Sequence, residues 1–265
     1  MNDARDPEPA LVARGLAKHY GTRKAVTEVS FSVRRGEVFG FLGPNGAGKT
    51  TTIRMLVGLV RPTLGQVSVG GWDLATARER ALARLGCIVE SPDFYGYLSG
   101  RENLALSDRM ARLAPTPDGP SHARPPAGDT ARARIDAVAA LVRIGERLDD
   151  RVATYSLGMR QRLGIAQALL GDPEVLVLDE PANGLDPAGI FELRTLLRRL
   201  ADERGLAVFV SSHLLGEIEK VCDRIAIVHR GRALAEGTVA ELTEGGARSL
   251  ESFFLDVTAG ETVGA

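Results

Sequence analysis

Gly43-Pro44-Asn45-Gly46-Ala47-Gly48-Lys49-Thr50 is the strongest local signal in this chain. It fits the pattern G-x-x-x-x-G-K-[ST], whose glycines let successive backbone N–H groups turn inward around a phosphate. Before it, Val38–Leu42 is a short apolar run; after it, Ile53, Met55, Leu56 and Leu59 give Lys49–Leu59 helical spacing. Strand, glycine loop and helix in that order open a parallel α/β sheet. They also set the loop at the positive end of the helix. Lys49 is predicted to reach terminal phosphates and the Thr50 hydroxyl to face Mg²⁺, with Thr51 beside it in the nucleotide site.

Further along, Val175–Leu178 is apolar without alternation, as in a strand covered on both faces, and it runs into Asp179-Glu180. Burying unpaired charge is costly, so two carboxylates at this strand end need a purpose. Beside a divalent metal and an attacking water they have one. Asp179 would hold the Mg²⁺ shell and Glu180 would polarise the water as general base. The plain alternative is a solvated strand end. Other strand candidates are Gln66–Val69, Leu85–Val89, Leu206–Val210 and Arg224–Val228, the last leading through Arg230-Gly231 into Ala233–Ala235 as a hairpin.

Residues 91–170 read differently, as a helical insertion with Arg101–Leu113, Ala131–Val142 and Gln161–Leu170. Ala114–Thr130 holds five of the 13 prolines and no large apolar residue, which predicts a flexible surface loop. The chain shows no internal repeat, and a tail with the apolar patch Phe253–Leu255 follows the core.

Composition narrows the class. The 265 residues are 44% hydrophobic and 25% charged, which excludes collagen-like, disordered and disulfide-scaffold classes. Lys+Arg 33 against Asp+Glu 34 gives net charge −1 and no general attraction to nucleic acid or anionic lipid. No apolar run approaches the roughly 20 residues of a membrane-spanning helix, and Met1–Pro9 lacks the features of a signal peptide. Cys87 and Cys222 both sit in apolar, core-like contexts. A soluble cytosolic protein is expected. Its only lysines are Lys18, Lys24, Lys49 and Lys220, so nearly all its positive charge is arginine.

Three further motifs stand in order: Tyr155-Ser156-Leu157-Gly158-Met159-Arg160-Gln161-Arg162, Pro181-Ala182-Asn183-Gly184-Leu185-Asp186-Pro187, and Ser211-Ser212-His213. With the glycine loop and Asp179-Glu180, this order resembles the nucleotide-binding domain of ATP-binding-cassette (ABC) proteins over residues 10–240. The resemblance implies a RecA-like P-loop NTPase core, mostly parallel, with an N-terminal antiparallel β portion and an inserted α-helical subdomain at about 91–170. Residues 1–9 would be a flexible start and 241–265 a tail.

The resemblance also implies roles. Tyr20 matches the aromatic that stacks on adenine, though a packed strand-end tyrosine would look the same. Ser156 and Gly158 match the signature that contacts the γ-phosphate of ATP held by a second protomer. Asp186 matches the loop that aligns the two sites, and His213 the switch that senses the γ-phosphate. Two ATP with Mg²⁺ would then close a head-to-tail homodimer or heterodimer. Its motion would drive a permease on a separate chain, with this chain at the inner face of the membrane.

Two departures mark a subfamily. Tyr155, Leu157 and Met159 replace three residues of Leu-Ser-Gly-Gly-Gln, and Glu90 stands where the family has glutamine. Both resemble bacterial drug, bacitracin and lantibiotic-export ATPases, which implies multidrug, antibiotic or peptide efflux. Glu90 would approach the Mg²⁺ and water and couple to the permease, which would dock near Phe94, Tyr95, Tyr97 and Leu98. Core packing would equally account for any one of these four. The alternatives are a soluble ABC ATPase acting on ribosomes or DNA, and a P-loop kinase. One cassette, no heptad run and neutral charge disfavour the first; the signature and His213 motifs are unexplained by the second.

Overall fold

The computed structural model describes residues 9–113 and 129–259; the expected flexible start and proline-rich loop lie outside them apart from their boundary residues. Strand β1 (Pro9–Tyr20) turns at Gly21 into antiparallel β2 (Arg23–Arg34), with Val12 facing Ser32 and Tyr20 facing Arg23. Strand β3 (Val38–Leu42) leads through the glycine loop into α1 (Lys49–Leu56). Then come β4 (Leu64–Val69), β5 (Trp72–Asp73), α2 (Arg78–Leu82) and β6 (Leu85–Ile88). Helices α3 (Gly100–Leu113), α4 (Asp129–Leu141) and α5 (Leu157–Leu169) make the insertion. The chain returns through β7 (Val175–Leu178), α6 (Pro187–Arg204), β8 (Ala207–Ser212), α7 (Leu215–Ile218) and β9 (Arg224–His229). It finishes with β10 (Arg232–Thr238), α8 (Val239–Leu242) and α9 (Leu250–Ala259).

The described strands form one sheet in the order β5-β4-β1-β2-β10-β9-β3-β8-β7-β6. From β9 to β6 the neighbours are parallel, whereas β1, β2, β4 and β5 pair antiparallel. Strand β10 joins the two parts, antiparallel to β9 and parallel to β2. This is the α/β fold that the resemblance implies.

Period-two alternation gives the sheet two covered faces. Val38 and Leu42 of β3 pack with Val208 and Val210 under the helical insertion and α6. Phe39 and Phe41 face the other way, onto Phe31 and Phe209, with ring centroids 5.3 Å apart for Phe31–Phe39 and for Phe41–Phe209. Burying each such ring stabilises by about 1.5–3 kcal/mol. That packing fixes β3, whose end carries the glycine loop.

Local chemistry moved several boundaries. Helix α1 stops at Leu56 rather than Leu59, because Gly58 takes a left-handed φ of 73°. Helix α5 starts at Leu157 rather than Gln161, because Ser156 caps it. Cys87 is exposed, contrary to its apolar sequence context, whereas Cys222 is buried. Strand β6 is one of the sheet's two edge strands, and only alternate positions, Gly86 and Ile88, are buried in it. In α9, Leu250 is fully buried, and Phe253 and Phe254 pack against the main core.

Candidate active site

The glycine loop is shaped by contacts that only glycine allows. A Cβ on Gly43 would lie 2.4 Å from the Val228 carbonyl oxygen. Gly48 has φ 102°, and a Cβ there would lie 2.8 Å from the Ala25 carbonyl oxygen. Both turns therefore need a residue without a side chain. Helix α1 begins at Gly48 with no side-chain cap and no acidic residue in its first turn. Its leading N–H groups are left for an anion. Lys49 is buried and donates from Nζ to the Gly43 and Pro44 carbonyls at 2.7 and 3.3 Å.

The two carboxylates at the end of β7 have different surroundings. Asp179 is 7% exposed and accepts a hydrogen bond from the Ser211 hydroxyl at 2.5 Å. Burial holds its carboxyl above the usual carboxylate range, and the Glu180 charge adds to this against the bond from Ser211. A neighbouring Thr50 hydroxyl also favours its charged form. Glu180 has a left-handed φ of 48°, an uncommon conformation for a residue of this kind. Its backbone N–H donates to Ser211 Oγ at 2.9 Å. Its side chain bridges two others: Oε1 is 3.3 Å from Lys49 Nζ, and Oε2 is 2.8 Å from His213 Nδ1. Three segments far apart in sequence thus meet at one carboxylate.

Most of the glycine loop from Pro44 to Thr51, together with Glu180, lines an open cleft of about 350 Å³. Arg23, Lys24, Ala25 and Arg230 line it as well. Thr50 and Asp179 supply hard oxygen donors of the kind Mg²⁺ prefers, and they are neighbours, so this donor set fits the ion. Glu90 follows the end of β6. It has φ 67°, is largely exposed, pairs with Arg54 Nη2 of α1 at 2.5 Å, and is not among the residues lining the cleft. Tyr20, at the end of β1, is half exposed, with Lys18 Nζ 5.1 Å from its ring centroid.

Ser156, Gly158 and Asp186 form a second surface outside the cleft lining. Ser156 Oγ accepts from Met159 N at 3.2 Å and caps α5. Asp186 Oδ1 accepts from Gly189 N at 2.8 Å and caps α6, with Pro187 at its first position. The loops touch: Leu157 Cδ2 lies 3.0 Å from where a Gly184 Cβ would stand. Of the residues that depart from Leu-Ser-Gly-Gly-Gln, Tyr155 is a core residue whose hydroxyl donates to the Arg147 carbonyl at 2.6 Å. Ser211, Arg54, Arg23, Lys24 and Arg230 were missed by motif reading. Ser211 lay inside a quoted motif, but only the folded sheet sets its hydroxyl against both Asp179 and Glu180.

Residues 26–183, more than half of the chain, match the ABC transporter family. The chain belongs to that family. It is 49% identical over 224 residues to the ABC transporter ATP-binding protein YhcH of Bacillus subtilis, covering 84% of this chain and 68% of the relative. It is 45% identical over 221 residues to the bacitracin transport ATP-binding protein BcrA of Bacillus licheniformis, covering 83% and 67%. A solved ATP-binding subunit of an ABC transporter superposes with TM-score 0.77 at 30% identity, over 94% of this chain and 99% of that one. This ABC protein is therefore an ATP-binding subunit of a transporter, an ATPase whose turnover is coupled to transport. The readings as a ribosome- or DNA-acting ATPase or as a kinase have no support among these relatives. Among the described residues, no helix of this ABC subunit is long and apolar enough to cross a membrane.

Proposed function

We propose that this subunit hydrolyses Mg²⁺-ATP in the Lys49–Glu180–His213 cleft to drive export of an antibiotic or peptide through a permease on a separate chain. The observation that carries the ATPase reading is the convergence of Lys49 Nζ and His213 Nδ1 on the two oxygens of Glu180, at 3.3 and 2.8 Å. Lys49 and the glycine-loop N–H groups hold the phosphates, and Thr50 with Asp179 would hold Mg²⁺. Mg²⁺ held there would supply charge neutralisation on the phosphate oxygens. Glu180 takes the proton of the attacking water, and His213 fixes the carboxylate that receives it. Likeness to a bacitracin transport protein supports the class of cargo.

Tyr20 stacks on the adenine of the ATP held by this chain's own glycine loop, whereas Ser156, Gly158 and Asp186 serve the ATP of a second protomer in a head-to-tail dimer. Glu90, held by Arg54 beside the insertion, serves coupling. The exposed Tyr95 and Tyr97, with ring centroids 5.9 Å apart, offer the permease a contact, while Phe94 and Leu98 are partly buried. Docking there would place the subunit on the inner face of the membrane.

Steady-state ATPase assays beside nucleotide titrations test this reading. Glu180→Gln lowers turnover by about 10²- to 10⁴-fold with ATP binding retained, whereas Lys49→Ala loses binding. Parental turnover in Glu180→Gln would refute the general base.

A further inference from the structure

The motifs account for the glycine loop and the acid pair but leave one side of the cleft unassigned. That side carries Arg23, Lys24 and Arg230, all exposed. Several cations elsewhere are paired: Arg84 with Glu174, Arg101 with Asp136 and Asp149, Arg198 with Asp202 and Asp223, Arg224 with Glu37 and Glu236. Among the described residues, no ion pair or side-chain hydrogen bond engages Arg23, Lys24 or Arg230. Unscreened like charges around a cleft repel one another, which favours filling it with an anion.

Arg230 adds an independent sign. It is the turn residue between β9 and β10 and has φ 47°. Glycine, asparagine and aspartate adopt that conformation most readily, so a long cationic side chain there is held against local preference. The turn is also tied to the glycine loop. Gly231 N donates to the Ala47 carbonyl at 2.9 Å, and Thr27 N donates to the Gly231 carbonyl at 2.7 Å. A Cβ on Gly231 would lie 2.9 Å from the Ala25 carbonyl oxygen. The β9–β10 turn, the start of β2 and the glycine loop are thus one stitched unit, and Arg230 keeps a set position relative to Lys49.

We propose that Arg230, together with Lys24 and Arg23, is a second cationic wall of the cleft that binds the phosphates of the nucleotide from its open rim. The proposal rests on the cleft being the ATP site. Glu180 lines the cleft beside the glycine loop, and the rim cations touch no group around its carboxylate. They therefore hold the nucleotide equally before and during hydrolysis, and they act on KM rather than kcat.

Arg230→Asn is the decisive variant, because asparagine suits the left-handed turn better than arginine does. Nucleotide titration of the whole chain gives an ATP Kd raised by about three- to tenfold, with Tm equal or higher. KM rises by the same factor and kcat holds. Arg230→Lys recovers most of the affinity, Lys24→Gln adds a further loss, and the differences narrow when salt is raised from about 50 to about 500 mM. The effect is larger for ATP than for AMP. An Arg230→Asn variant that binds ATP like the parent overturns this inference alone. A parent chain that binds no ATP, or binds it equally after Lys49→Ala, overturns the reading of the cleft itself.

Discussion

Helix α1 follows the glycine loop and helix α5 follows Tyr155-Ser156, yet their first turns are finished in opposite ways. At α1 the leading residue is Gly48, in a left-handed conformation and without a side chain to offer, so the helix end is left open. At α5 the leading residue is Ser156, whose hydroxyl already accepts from Met159 N, and α6 is closed likewise by Asp186. Beside the α1 end, Lys49, Glu180, His213, Asp179 and Ser211 of this chain gather through hydrogen bonds and an ion pair. The α5 and α6 ends gather no catalytic side chain. On the proposed reading, one phosphate site is built within the chain and the other surface is half of a site that a second molecule finishes.

Paired glycine substitutions give the largest contrast. Gly48→Ala forces a side chain into a left-handed residue 2.8 Å from the Ala25 carbonyl oxygen. It should lower stability by about 1–3 kcal/mol, or about 2–4 °C in Tm for each kcal/mol, and abolish ATP binding. Around Gly158 the nearest atom to a new Cβ is Leu185 Cδ2 at 3.8 Å, so Gly158→Ala should leave fold and single-subunit ATP binding intact. Its Tm stays level or rises by about 2 °C, because alanine suits a helix better, while turnover falls. Thermal unfolding and ATP titration of the two variants side by side check this. Equal damage from both would erase the distinction between a finished and an unfinished site.

A smaller effect sharpens the same contrast from the other side. Asp179 is a buried carboxylate whose charged form the fold disfavours. Asp179→Asn keeps an acceptor for Ser211 and removes the charge, so Tm at neutral pH should rise by about 2–4 °C while ATPase activity is lost. A fall in Tm would show that the charge is compensated in the free chain. The smallest change is expected at the α5 cap. Ser156→Ala costs about 1 kcal/mol of stability, and Ser156→Asp, which caps equally well, should restore Tm without restoring turnover. Recovery of turnover with Asp would reduce Ser156 to a structural cap.

How far the sequence could be read depended on whether a signal was local. Val38–Leu42 and Val175–Leu178 were legible to the residue, because a continuous apolar run between turn residues admits few alternatives. The glycine loop, Asp179 and Glu180 were legible because each chemistry needs particular residue types at fixed spacing. Cys87 was misread, since apolar neighbours do not reveal that β6 is an edge strand. The capping role of Ser156 was also missed, because helical periodicity starts only after the cap has set the first turn.

The sequence by itself determined the α/β class, the glycine loop between β3 and α1, the two carboxylates that end β7, and the family. These follow from short-range stereochemistry: glycine where the backbone must curl, apolar runs where strands are covered, carboxylates where a strand ends. Only the tertiary structure decided that Glu180 bridges Lys49 and His213, that Glu90 pairs with Arg54, and that Arg230 reaches the cleft of a loop some 180 residues earlier. Such pairings arise when parallel strands distant along the chain deliver their ends to one edge of a sheet, and periodicity along the chain carries no record of strand order.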